Sequence, residues 1–149
     1  MLPFFIAVIL SADPLVGPVP LDQHPTMLEM LAESNRLRVA NGLQPHAIDR
    51  TLCSVAQEQA VAMARAKQLG HNVNGSFGDR LARWNVVFLS AGENAAYGQR
   101  NVTAAFVAWR NSPGHWKTLT KPETTHAGFG AFTDSAGRWW WCAVYARFP

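Results

Sequence analysis

The sequence is poor in charge. Asp, Glu, Lys and Arg make up 15% of 149 residues, against about 25% in an ordinary soluble domain. The net charge is +3, and the basic residues form no run, Arg36 and Arg38 being the densest local pairing. That argues against a nucleic-acid partner, which needs a basic stripe to meet phosphates. Two cysteines exclude a disulfide-dense miniprotein and any zinc site built on a CxxC pair. No apolar run approaches the roughly 20 residues of a membrane-crossing helix, and there is no internal repeat or low-complexity stretch. What is plentiful is apolar surface, at 48%, with six Trp, three of them consecutive at Trp139, Trp140 and Trp141. A chain of this size and composition is expected to fold as one domain with a real core.

The first 25 residues form a separate part. Leu2 to Leu10 is an unbroken apolar run of nine, followed by the small residues Ser11 and Ala12. Its length fits the apolar core of a secretory signal over residues 1–12, although no Lys or Arg precedes it. The alternative is a buried N-terminal strand. Residues 13–25 carry Pro14, Pro18, Pro20 and Pro25 and read as an extended linker. The folded domain is expected over residues 26–149.

Within it, Thr26 to Asn41 shows helical spacing of Met27, Met30, Leu31, Ser34 and Arg38, closed by Gly42 at a left-handed cap position. Asp49 is placed to cap a second helix from Arg50 to Leu69, with a small-residue row at Ala56, Ala60 and Ala64 and an end at Gly70. His71 to Gly78 reads as loop, Asp79 to Trp84 as a short helical turn, and Ala91 to Gly98 as a glycine-bounded turn around Glu93. Asn101 can cap a third helix that buries Val102, Phe106 and Trp109; Ser112 and Pro113 open a short fourth that carries His115. The period then changes to strand at Ala127 to Phe132, a turn at Asp134 to Gly137, and a long aromatic strand from Arg138 to Phe148. The expected class is α+β, a small antiparallel sheet covered by helices. Trp139 and Trp141 face one way and Trp140 the other; one set packs on a helix near Phe106 and Trp109, and the second is left to core or to exposed surface.

Three polar residues lack an evident capping or surface role: His71, Glu93 and His115. Each stands beside glycine, and successive gaps are 22 residues, so no local metal motif links them. His24, His46 and His126 have no partner in the pattern and read as structural. Asn74-Gly75-Ser76 and Asn101-Val102-Thr103 match the glycosylation acceptor pattern. Under export, Cys53 and Cys142 could pair, closing a long loop worth about 4 kcal/mol; two separate buried thiols are the alternative.

The ordered motifs resemble a known group. Leu31 to Leu69, with Asn35, Arg38, Gly42, Leu43, Pro45, Asp49, Leu52, Ala56, Ala60 and Met63, looks like the opening two helices of the CAP superfamily of cysteine-rich secretory proteins, antigen 5 and pathogenesis-related 1. Gly70-His71, Gly92-Glu93-Asn94, Ser112-Pro113-Gly114-His115 and Gly128-Phe129-Gly130 follow in the same order as in its bacterial SPGH-type members. The resemblance covers about residues 27–149. It implies an α-β-α sandwich, secretion to an extracellular or periplasmic location, and a cleft lined by His71, Glu93 and His115, with Asn72, Asn94 and Ser112 beside them. That cleft is expected to hold a divalent metal such as zinc, or a polar or lipid ligand group, in a monomeric non-catalytic binding module for a small molecule, lipid or peptide. One departure concerns the second Glu of the family's cleft, where this chain has Ser112. The alternatives are a metal-dependent peptide or ester hydrolase, in which Glu93 serves as ligand or base, and a structural cell-surface interaction domain.

Overall fold

The computed structural model describes residues 19–149. The apolar run and the first part of the Pro-rich segment lie outside the described residues. Leu21–Gln23 forms one 3-10 turn. Helix α1 then spans Pro25–Ala40, with Pro25 in its first turn and the His24 ring, not a linker bystander, accepting from Thr26 N at its cap. Strand β1 (Ala47–Ile48) leads into α2 (Arg50–Ala66), capped by Asp49, whose side chain accepts from Leu52 N. Helix α3 (Phe77–Arg83), strand β2 (Ser90–Tyr97), helices α4 (Val102–Arg110) and α5 (Pro113–Leu119), and strands β3 (His126–Thr133) and β4 (Trp139–Arg147) complete the order.

The sheet runs β1-β3-β4-β2. β4 pairs antiparallel with β2 and β3 over eight residues each, while β1 joins β3 in parallel. The sheet is therefore mixed rather than purely antiparallel. β4 builds both cores through its alternation. Trp141, Ala143 and Tyr145 meet Met27, Met30, Phe106 and Trp109 of α1 and α4. Trp140, Cys142, Val144 and Ala146 meet Leu52, Val55, Ala56, Ala60 and Met63 of α2. Helices on both faces make the α-β-α sandwich, and neither side of the Trp run is a free surface: Trp140 is buried beside Tyr97, ring centroids 4.1 Å apart.

Three local readings need correction. The segment around Glu93 is a strand, not a turn: its small residues have little β preference of their own, but continuous pairing with β4 from Ser90 to Tyr97 supplies what propensity does not. Helix α2 ends at Ala66, and Lys67, not Gly70, takes the left-handed cap at φ 52°. Ser112 precedes α5 without a side-chain cap bond; its carbonyl accepts from Trp116 N. Gly42 does adopt the left-handed conformation after α1, at φ 72°.

Helix α2 lies directly on β3. A Cβ at Gly128 would overlap Leu52 and Cys53, and one at Gly130 would overlap Ala56 and Gln57, in each case at their backbone. The missing side chains at Gly128 and Gly130 let the helix come this near, with the small Ala56 opposite Gly130. Gln57 completes the contact by reaching the β3 backbone: its amide donates to Ala131 O and accepts from Ala131 N, both at 3.0 Å. The backbone N–H of Phe129 points at Cys53 Sγ, 3.5 Å away. A bulkier residue must push the layers apart, at about 1–3 kcal/mol. Gly130→Ala should therefore lower the unfolding free energy measured by chemical denaturation by that margin, while Gly114→Ala, with open space at its Cβ, should leave it within about 0.5 kcal/mol.

Candidate functional site

β2 is an outer strand of the sheet, and three successive residues on it serve alternate faces. Gly92 leaves room for α5, since a Cβ there would press on Thr118. Glu93, opposite Val144, turns to the α2 side. Asn94, opposite Ala143, turns to the other side, where its Nδ2 donates to His115 O at 3.0 Å. This bond fixes the start of α5, the element that carries His115. His71 reaches Glu93 from the loop after α2. The two histidines thus converge on β2 from the two sides of the sheet.

Glu93 is the centre of a dense network. Its side chain is only 2% exposed. Oε1 accepts from His71 Nδ1 at 2.8 Å and from Arg80 Nη2 at 2.7 Å. Oε2 accepts from Arg80 Nη1 at 2.6 Å and faces Cys142 Sγ at 3.5 Å. Arg80, fully buried, also donates to His71 O at 3.0 Å and so ties down the His71 backbone. A planar guanidinium gripping both oxygens is the strongest form of this pair, and burial without it would be prohibitive for either charge.

The protonation states follow. Burial pushes the Glu93 carboxyl up, but the hydrogen bonds from His71 and Arg80 and their charges more than reverse it, so it is held below its usual range. His71, half exposed, is raised by its bond to Glu93. With the carboxylate ionised, His71 Nδ1 is the donor, which turns Nε2 toward solvent chemistry. His115 moves the other way, lowered by burial and then by the charge on His71; it is half-buried at the start of α5. Cys142 is a neutral thiol, because burial and the Glu93 charge both push it up.

The sequence-derived set is thus partly assembled. His71 and Glu93 are in contact, and His115 lies within reach of the charge on His71. Asn94 is buried and positions His115; Asn72 is exposed, and Ser112 is half-buried ahead of α5. Cys53 and Cys142 are not bridged; burial holds the Cys53 thiol up at about 12, and the two sulfurs face different partners. His46 is a buried, neutral core histidine, lowered to about 3 by desolvation and the neighbouring Arg38, with Nε2 on Thr124 Oγ1 at 2.8 Å. His126 bonds Thr125 and packs on Phe148.

Sequence reasoning missed Arg80, which looks like one more cation in a polar turn. The signal available was indirect: a carboxylate between apolar strand residues, with no cation three or four positions away, requires a buried partner from elsewhere in the chain.

Arg80 decides the fit of a metal. A carboxylate has about four acceptor positions, and those of Glu93 are taken by two guanidinium nitrogens, one imidazole and one thiol. As arranged, it has no lone pair left for an ion, and a buried cation stands directly behind it. Among the described residues no group of three or more His, Cys, Asp or Glu is placed to hold a metal. The His71–Glu93–His115 trio does not fit as a three-ligand set.

The chain resembles known proteins over most of its length. The model of the CAP family, described as the cysteine-rich secretory protein family, matches residues 31–145. The uncharacterized protein YkwD of Bacillus subtilis (strain 168) is 33% identical over 108 residues, covering 71% of this chain and 42% of that protein. An extracellular protein containing an SCP domain from Bacillus anthracis str. Ames is similar in structure, with a TM-score of 0.76 and 29% identity over 82% of this chain and 40% of that one. An outer surface protein of Borrelia burgdorferi also has a TM-score of 0.76, at 23% identity, over 82% of this chain and 92% of its own. The chain spans less than half the length of the two Bacillus proteins.

Two outcomes test the network. In a ring-proton NMR titration His71 should titrate above its ordinary 6.5 and His115 below it; Glu93→Gln should bring His71 down. His71 contributes stability fully present below the unfolded value of 6.5 and lost as pH rises through its raised folded value. Glu93 contributes stability present above 4.5 and lost as pH falls through its lowered one. Arg80→Met should cost about 3–5 kcal/mol in denaturant unfolding at neutral pH, because it strands a buried carboxylate.

Proposed function

Because the chain belongs to the CAP family of cysteine-rich secretory proteins, as the match over residues 31–145 shows, we propose that it is an extracellular binding domain and not an enzyme. Its cleft takes a polar, anionic group of a small ligand between His71 and His115. The observation that carries this reading is the commitment of Glu93. A general base must have a free lone pair within reach of the proton it removes, and this carboxylate has all of its own engaged by Arg80, His71 and Cys142. What the cleft offers a ligand is therefore imidazole.

Glu93 and Arg80 cancel each other's charge. A proton on His71 then adds a full positive charge beside a neutral pair, and its Nε2–H becomes a donor pointing away from Glu93. A carboxylate or similar oxyanion is the complement. His115, kept neutral, supplies a second ring nitrogen from the other side of β2. An extracellular location is in keeping with the Bacillus anthracis and Borrelia burgdorferi relatives, described as extracellular and outer-surface proteins, and no helix among the described residues is long and apolar enough to cross a membrane.

Decanoate, a carboxylate on an apolar chain, is a suitable probe. The ring signals of His71 and His115 should move together and saturate, with binding at least fivefold tighter at pH 6 than at pH 8, and His71→Ala should remove it. Chelator-sensitive turnover of a peptide or ester panel that disappears in Glu93→Gln would overturn the assignment in favour of a hydrolase.

A further inference from the structure

A cavity away from His71, Glu93 and His115 gathers cations. It measures about 240 Å³ and lies between the end of α2, the end of β3 and the turn that joins β3 to β4. Arg65, Lys67 and Arg138 line it, with Phe132 and Ser135.

Two of these cations are unmatched. Of the six ion pairs among the described residues, none includes Arg65 or Lys67. The acid on the lining, Asp134, is occupied by the turn. Its Oδ1 accepts from Ala136 N and Arg138 N, and its Oδ2 accepts from Trp140 Nε1 and lies 3.6 Å from Arg138 Nε. The lining thus carries three cationic residues against one acid, and that acid is already engaged, in part by Arg138 itself. The C-terminal pole of α2 adds some negative potential, and Arg65 and Lys67 are the residues that counter it.

Lys67 carries an independent mark. It occupies the left-handed cap of α2 at φ 52°, ψ 39°, a place where glycine is at ease and a residue with a Cβ is strained. Strain kept at a cationic residue on a cavity rim is a reason to ask what the side chain does there. Arg138 is steadied from the other side, its guanidinium 5.6 Å from the centre of the Tyr97 ring. The Phe132 ring gives the cavity an apolar wall.

We propose that this cavity is an oxyanion site for a phosphate group carried on an organic body, held by Arg65, Lys67 and Arg138, with the Ser135 hydroxyl as a further donor. Guanidinium groups match phosphate oxygens in pairs, and the lysine adds a point charge. The body of the ligand lies against Phe132. The phosphate can come from a monoester or from a diester polymer, and the two are separable by probe.

The test is NMR titration of the full 15N-labelled chain with glycerol 3-phosphate and, separately, with glycerophosphoglycerol. The expected result is saturable movement of the Lys67, Ser135, Ala136 and Gly137 amides, with the His71 and His115 rings unmoved, which separates this site from the cleft. The probe that binds tighter identifies the source. Lys67→Gly should weaken binding at least tenfold while the melting temperature holds or rises, because glycine relieves the left-handed strain. Arg65→Gln should weaken it as well, at unchanged stability. Shifts that fail to saturate with either probe, or a Lys67→Gly dissociation constant within twofold of wild type, would overturn the proposal.

Discussion

The grip of Arg80 on Glu93 is the constraint on which the site depends. A carboxylate under the sheet and a guanidinium with no exposed surface are each untenable alone. Together they fix the place of α3 against β2. They also fix the loop after α2, because the same guanidinium holds the His71 carbonyl. The orientation of His71 is set in turn by the carboxylate. One ion pair thus determines the position of an element, the path of a loop and the tautomer of an exposed ring.

On the opposite face the arrangement is gentler but follows the same logic. Asn94 holds the carbonyl of His115, and Gly92 lets Thr118 close in. The three residues Gly92, Glu93 and Asn94 therefore place both histidines without touching either solvent-facing nitrogen. Chemistry at the surface is arranged by residues beneath it.

Much of this was legible in the residues. The aromatic run from Trp139 marks the last strand, though the residues alone leave the burial of its second face open, and the caps at Asp49 and Asn101 fall where their side chains indicate. The small row on α2 marks a face open to close approach, while the glycines at 128 and 130 that meet the helix read only as interruptions of a strand. Strand β2 was not legible, because Ser90 to Tyr97 is small and polar, and its extended form comes from β4. Strand β1 is two residues long and exists only through β3. Arg80 was hidden because its burial is explained by a residue 13 positions away on another element. The ordered motifs located the two histidines and the glutamate, but not the cation that determines what the glutamate can do.

The unbridged cysteines bear on how the molecule is made. Cys53 packs against the β3 backbone and Cys142 against Glu93, and the sandwich closes without any covalent tie between helix and sheet. Its assembly calls for no disulfide and hence no oxidant. The same tertiary structure should form in a reducing interior as in an oxidising exterior, so thiol reductants leave it intact.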